Sequence, residues 1–103
     1  MVETKYCDNI LTAKLYGEID HHRAPAIRQK IDGQTETFRP KELHLDFSNV
    51  SFMDSSGIGL IMGRYRQMQL SGGEVRIINP SPNIKRVLKL AGMDRLARIE
   101  YKN

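Results

Sequence analysis

Residues 51–63 read Ser-Phe-Met-Asp-Ser-Ser-Gly-Ile-Gly-Leu-Ile-Met-Gly. They follow Leu43–Phe47, where apolar and polar residues alternate as in a β-strand. The residues that come next have the spacing of one helix face: Ile58, Ile61, Met62, Tyr65 and Met68. Asp54-Ser55-Ser56-Gly57 therefore lies where a strand ends and a helix begins. Asp and Ser suit that position because their side-chain oxygens accept hydrogen bonds from the free N–H groups of a helix start.

Three glycines fall in the first turns of this second helix: Gly57, Gly59 and Gly63. Each costs about 1 kcal/mol relative to alanine inside a helix. A capped strand-to-helix turn explains Asp54 and the serines. It does not explain why three helical positions are occupied by glycine in spite of that cost. The glycines indicate a bare surface that a partner can approach closely, with the hydroxyl groups of Ser55 and Ser56 on it.

The N-terminal part of the chain predicts a hairpin followed by a helix. Two β-like runs, residues 5–8 and 10–16, are separated by the turn residues Asp8-Asn9, and Gly17 is expected to end the second run. A polar connector then opens the first helix, with Asp20 as N-cap and Pro25 in the first turn. Gly33 weakens the far end of that helix.

Strands and helices alternate through the rest of the chain. Arg39-Pro40 stops the first helix, and Leu43–Phe47 is apolar enough to be a central strand. After the second helix come a strand at 75–78, a helix with an apolar stripe closed by Gly92, and a strand at 97–101. The order ββαβαβαβ over residues 1–103 predicts one α/β domain. Its sheet is expected to be mostly parallel, with an antiparallel N-terminal hairpin.

Composition narrows the classes of function. The chain has 103 residues, is 40% hydrophobic and 27% charged, and has a net charge of +4. It contains no apolar run of transmembrane length, and its first five residues do not resemble a signal peptide, so we expect a cytoplasmic protein without membrane contact. The basic residues are scattered and do not alternate with aromatic ones, which argues against direct nucleic-acid binding. The single Cys7 fits a reducing compartment, and we expect its side chain to be packed.

Metal and cofactor chemistry find little support in the sequence. The histidines are His21, His22 and His44, and their spacing to each other and to Cys7 matches no zinc site. The glycines after Ser56 match neither glycine-rich phosphate-binding fingerprint. We therefore expect no metal and no cofactor.

A small serine hydrolase is the best enzymatic hypothesis. Ser55 would be the nucleophile, His21 or His22 the base, and Asp20 or Asp54 the residue that orients it. However, the sequence around Ser55 is not the Gly-x-Ser-x-Gly elbow, and 103 residues leave little room for a substrate pocket. The non-enzymatic alternative is a switch, in which a kinase phosphorylates Ser55 or Ser56 and adds about two negative charges where a partner binds.

Two motifs resemble those of a known family. Residues 51–65 closely resemble the signature of the STAS-domain anti-sigma factor antagonists, and Gly17-Glu18-Ile19-Asp20-His21-His22 resembles their second motif. The resemblance is closest to the members that act in sporulation. It implies the STAS fold over the whole chain, in agreement with the element order deduced above.

The resemblance implies a regulator, not an enzyme. Family members bind, when unphosphorylated, a nucleotide-bound anti-sigma factor that is also a serine kinase, and thereby release the sigma factor. The kinase phosphorylates the serine after the motif aspartate, here Ser55, and a dedicated phosphatase resets the protein. The matching partner-binding positions are Asp20, His21, Asp54, Ser55, Ser56, Gly57 and Gly59. A STAS regulator of another partner-switching pathway, such as stress signalling, is the alternative.

Overall fold

A computed structural model describes residues 1–102. It contains five strands, three α-helices and one short 3₁₀ helix. Their bounds are β1 Val2–Cys7, β2 Ile10–Ile19, α1 Ala24–Phe38, β3 Glu42–Met53, α2 Ser55–Leu70, β4 Glu74–Ile78, α3 Pro82–Leu90, the 3₁₀ helix Met93–Arg95, and β5 Arg98–Glu100. The predicted order ββαβαβαβ is confirmed, and the 3₁₀ helix is an element that the sequence patterns did not predict.

The strands form one sheet in the order β1-β2-β3-β4-β5. β1 pairs antiparallel with β2, and every other neighbouring pair is parallel. This confirms the predicted mixed sheet with an antiparallel N-terminal hairpin, and β3 lies at its centre. Each helix joins two neighbouring parallel strands in the same direction along the sheet, which places all three helices on one face.

The core lies between that face and the helices. Alternate residues of β2 and β3 point into it, and the fully buried side chains include Leu11, Leu15, Leu45 and Phe47. The inner face of α2 consists of Gly57, Leu60, Ile61, Arg64 and Met68. Only Ile61 and Met68 belong to the helix face that the sequence predicted; Ile58, Met62 and Tyr65 pack at its margin and are partly buried.

Two predicted strand features are wrong. Gly17 does not end β2: it has a positive φ of 79° at an irregularity in the β2–β3 register, and the strand continues to the fully buried Ile19. A glycine in such a bulge bends a strand without terminating it. Cys7 is exposed and not packed, since it is the last residue of the edge strand β1.

The first helix ends where the sequence predicts. It continues through Gly33 to Phe38, and Arg39 adopts a left-handed conformation with φ of 47° just before Pro40. Its start lies later than expected, since Arg23 and not Asp20 occupies the N-cap position, and Pro25 falls in the first turn as predicted. None of the helices in residues 1–102 has the length and apolar character needed to span a membrane.

The face of the sheet opposite the helices is polar and organised in rows. The strand register aligns one residue from each strand into a largely basic row, which consists of Lys5, Thr12, His44, Arg76 and Arg98. Glu42 and Glu74 lie directly across from each other in the adjacent row. Opposite charges on neighbouring strands stabilise such a face without a helix to cover it. Arg76 illustrates this, because it pairs with Glu42 at 3.2 Å and with Glu100 at 3.3 Å.

Acidification should weaken the ion pairs on this polar face of the sheet. The Glu42 carboxylate accepts a hydrogen bond from His44 Nε2, which lowers the pKa of Glu42 below its usual 4.5, with help from the charges of Arg76 and Lys102 and against the effect of desolvation. A carboxylate with a lowered pKa in the folded state stabilises the protein above pH 4.5, and this contribution disappears as the pH falls through the folded-state pKa. Urea unfolding at about pH 6 and about pH 3.5, on either side of the usual pKa of a glutamate, should show a smaller loss of stability for Glu42→Gln than for the wild type. Equal losses would contradict the assignment.

Candidate functional site

The two sequence motifs meet at one edge of the sheet. Ile19 and Met53, the last residues of β2 and β3, are paired in the parallel register, and the Asp54 N–H donates to the Ile19 carbonyl at 3.2 Å. Asp20 and Asp54 therefore both begin connections at the carboxyl ends of adjacent strands. This is the arrangement that parallel α/β folds use for binding sites, and the expectation that both connections lie on one rim is confirmed.

Asp54 caps α2. Its backbone is extended, with φ of −99° and ψ of −167°, and its side chain accepts a hydrogen bond from the Ser56 N–H at 2.8 Å. The Asp54 carbonyl accepts from the Gly57 N–H at 3.0 Å. These bonds satisfy backbone donors at the helix start. Ser55 is left exposed as the first residue of the helix, beside its positive end.

Asp20 organises the turn before α1. Its carboxylate accepts hydrogen bonds from the N–H groups of His22 (3.1 Å) and Arg23 (3.0 Å) and pairs with the Arg23 guanidinium. The hydrogen bond from the Arg23 N–H is the main reason that the pKa of Asp20 lies below its usual value, and the Arg23 charge adds to it. Asp20 is therefore a carboxylate that rigidifies this turn. His21 and His22 are exposed, with ring centroids 4.0 Å apart.

The three glycines of α2 do not share one role. Gly57 is buried, and a Cβ added there would lie 2.1 Å from Met53 Cγ and 3.4 Å from Ile19 Cγ2. Its inclusion in a bare binding surface was wrong, because the glycine is required where α2 packs against the ends of β2 and β3. A Cβ at Gly59 or Gly63 would meet no atom within 4 Å. These two glycines do leave helix backbone open.

Gly59 and Gly63 line a groove of about 330 Å³ between α1 and α2. We call it the α1–α2 groove, and its other main lining residues are His21, Arg28, Ser56 and Arg64. Ser56 and His21 place the groove at the same edge as the motifs. Arg28 and Arg64 were missed by the sequence analysis, and the only available signal was the position of Arg64 seven residues after Gly57, on the same helix face.

Phe52 is a further residue that the sequence analysis missed. Its side chain is 51% exposed, and it lies opposite Glu18 in the β2–β3 register at the end of β3. A large exposed aromatic side chain three positions before the exposed Ser55 adds apolar area to this edge. Such combinations of apolar and polar groups are typical of protein interaction sites.

The side chains of the hydrolase hypothesis do not form the hydrogen bonds of a catalytic triad in the part of the chain that the structure describes. Across residues 1–102, neither the Ser55 nor the Ser56 hydroxyl hydrogen-bonds to a histidine, and the Asp20 carboxylate bonds backbone N–H groups and Arg23 instead of an imidazole. A nucleophilic serine needs a base within hydrogen-bonding reach and a group that orients the base. Residues 1–102 also contain no cluster of three or more His, Cys, Asp or Glu side chains that could hold a metal ion.

Comparison with known proteins defines the family. The STAS domain model matches residues 1–102. An anti-sigma F factor antagonist from Paenibacillus polymyxa is 32% identical over 95% of this chain and 84% of its own length. An anti-sigma-B factor antagonist from Bacillus subtilis is 28% identical over 99% of this chain and 92% of its own. The chain belongs to the STAS-domain family of anti-sigma factor antagonists.

Solved structures agree on the fold. The anti-sigma factor antagonist SpoIIAA in its unphosphorylated form superimposes with a TM-score of 0.87 at 29% identity, over 100% of this chain and 89% of that one. The phosphorylated form of SpoIIAA from Bacillus gives a TM-score of 0.80 over 100% of this chain and 92% of that one, also at 29% identity. The sequence-based assignment to this family and fold is therefore confirmed.

Proposed function

We propose that this protein is the antagonist in a partner-switching pathway and that phosphorylation of Ser55 turns it off. In the unphosphorylated form it binds a nucleotide-bound anti-sigma factor kinase and frees the sigma factor for transcription. The observation that supports this most directly is an exposed serine at the start of α2, immediately after the capping Asp54. A solved relative of the same fold exists in a phosphorylated form.

Ser55 is a better acceptor than Ser56 on geometric grounds. Ser55 is exposed, whereas Ser56 is half-buried at the mouth of the α1–α2 groove and its N–H is held by Asp54. A kinase must bring its nucleotide phosphate into line with the hydroxyl oxygen. An exposed side chain at a helix start meets that need without local unfolding.

The partner surface that we propose surrounds Ser55. It includes five further residues from the two motifs, and Phe52 extends it. The five are Asp20, His21, Asp54, Ser56 and Gly59. Gly57 contributes by positioning the start of α2 and not by contact. A dedicated serine phosphatase would reset the same residue. We infer the sporulation pathway, with a stress pathway as the alternative, since relatives named for sigma F and for sigma B both match.

Intact-mass measurement after incubation with an anti-sigma factor kinase and ATP tests this function. We expect the wild type and Ser56→Ala to gain one phosphate and Ser55→Ala to gain none. An ester-hydrolysis assay run in parallel should show no activity. A phosphate that is lost in Ser56→Ala and retained in Ser55→Ala would overturn the assignment of the acceptor, and esterase activity would favour the hydrolase.

Asp20→Ala should weaken partner binding more than it weakens the fold. The carboxylate accepts two backbone hydrogen bonds in the turn before α1, and loss of such bonds affects stability modestly. The same change frees the turn that holds His21 at the proposed surface, so the partner would have to order it on binding. We expect a several-fold lower affinity by calorimetry and a small change in melting temperature. Asp20→Asn, which retains an acceptor for the two N–H groups, is the control and should bind more tightly than Asp20→Ala. A large fall in melting temperature with unchanged binding would make Asp20 purely structural.

A further inference from the structure

The α1–α2 groove contains more positive than negative charge. Arg64 is only 6% exposed and its Nε lies 2.9 Å from Asp32 Oδ1. Arg28 precedes Asp32 by one helical turn and lines the same groove. Within residues 1–102, Asp32 is the one carboxylate that pairs with either arginine. Arg28 is exposed and forms no salt bridge among these residues, so two guanidinium groups lie near a single counter-charge.

The arginines influence each other electrostatically. Burial lowers the pKa of Arg64 below its usual value; the Asp32 carboxylate opposes this effect, and the charge of Arg28 adds to it. The Arg64 Nε also donates to Gln67 Oε1 at 3.4 Å, and the Arg28 charge close by has no carboxylate partner among the described residues. An added anion in the groove would therefore be stabilised by both arginines, in a place where water screens less than at a flat surface.

The helix backbone beside these arginines is accessible. Alanine would fit at Gly59 and Gly63 without contacting any atom within 4 Å, so packing does not require glycine at either position. Gly33 on α1 is equally unhindered but does not line the groove. Glycine at 59 and 63 keeps the wall of the groove low, which lets another chain pass close to α2.

We propose that the α1–α2 groove binds an acidic segment of the anti-sigma factor partner, which crosses Gly59 and Gly63 and places a carboxylate against Arg28 and Arg64. This proposal rests on the proposed function, because it extends the same partner surface beyond Ser56. Charge complementarity selects an acidic segment over a basic or purely apolar one.

Matched variants test the proposal by surface plasmon resonance with the ADP-bound anti-sigma factor kinase of the same organism. Arg28→Glu is compared with Lys30→Glu, which makes the same charge change on the same helix but about 200° around it. Gly63→Ala is compared with Gly33→Ala. We expect Arg28→Glu and Gly63→Ala each to raise Kd about tenfold or more, and both controls to stay within about twofold. Arg28→Glu should also reduce the dependence of the association rate on salt.

A zero-length carbodiimide cross-link identifies the chemistry of the segment. In an Arg28→Lys variant, the amine at position 28 should couple to a partner Asp or Glu found by mass spectrometry, and Lys30 should not couple. If the wild type binds but Arg28→Glu and Gly63→Ala bind equally well, the proposal is wrong and the proposed function stands. If Gly63→Ala alone loses affinity, or if position 28 forms no cross-link, the proposal of an acidic segment is wrong. If the wild type does not bind the kinase at all, the proposed function fails and this proposal with it.

Discussion

Phosphorylation of Ser55 should reduce the affinity for the anti-sigma factor by two decades or more while the fold remains the same. The phosphate adds about two negative charges to an exposed position at the centre of the proposed surface. When a partner displaces water from that surface, a clash with its nucleotide phosphates or carboxylates costs several kcal/mol. Each 1.4 kcal/mol corresponds to a factor of about ten in Kd.

The same phosphate should disturb the unbound protein very little. The positive end of α2 favours an anion by roughly 0.3–1 kcal/mol. The Asp54 carboxylate opposes it by a comparable amount of about 1 kcal/mol in high dielectric. Because these contributions nearly cancel, we expect a local block by charge and bulk instead of a refolded domain.

Calorimetry, thermal melting and amide chemical shifts of the two forms measure these effects. Shift changes should be confined to residues near the starts of α1 and α2, and the melting temperature should hardly move. Widespread shifts across the sheet and α3 would contradict the local block. Ser55→Asp should weaken binding only in part, because it has one charge and less bulk than a phosphate, and Ser55→Ala should bind about as well as the wild type.

Local patterns predicted the five strands, the three α-helices and their order, but not the 3₁₀ helix or the full length of β2. Alternation in Leu43–Phe47 identified buried residues of β3, and the capping Asp54 located the start of α2 within one residue. Short-range signals of this kind do not depend on the rest of the chain. The strand-to-helix order then left one reasonable sheet, since parallel neighbours need crossover connections.

The features that the patterns missed depend on contacts between elements that are distant in the sequence. The inner face of α2 has helical spacing, but Gly57 and Arg64 are not apolar, so the hydrophobic pattern selected a face rotated toward Ile58 and Met62. Arg64 is buried where Asp32 on another helix pairs with it. The sequence of α2 does not indicate that Asp32 lies beside it, and the charge of the α1–α2 groove was therefore not predictable.

Gly57 and Gly59 look alike in the sequence but differ in their packing. Alanine substitution should therefore change the stability of the protein in opposite directions at the two positions. At Gly59 the added methyl group meets nothing within 4 Å, and removal of a helical glycine stabilises a protein by about 0.5–1 kcal/mol. At Gly57 it would overlap Met53 Cγ at 2.1 Å and Sδ at 2.4 Å. Met53 is 5% exposed and Ile19 fully buried, so relief of the overlap requires repacking of buried side chains. Overpacking of this kind costs about 1–3 kcal/mol.

We therefore expect Gly57→Ala to be destabilised by about 1–2 kcal/mol after the gain in helix propensity is subtracted, and Gly59→Ala to be stabilised. The melting temperatures of two variants that differ by two positions should then be separated by about 10 °C or more for a domain of this size. Adding Met53→Ala should cost less in the Gly57→Ala background than in the wild type, because it removes the overlapping atoms. Equal melting temperatures for Gly57→Ala and Gly59→Ala, or strict additivity with Met53→Ala, would show that α2 does not need glycine to pack at this edge.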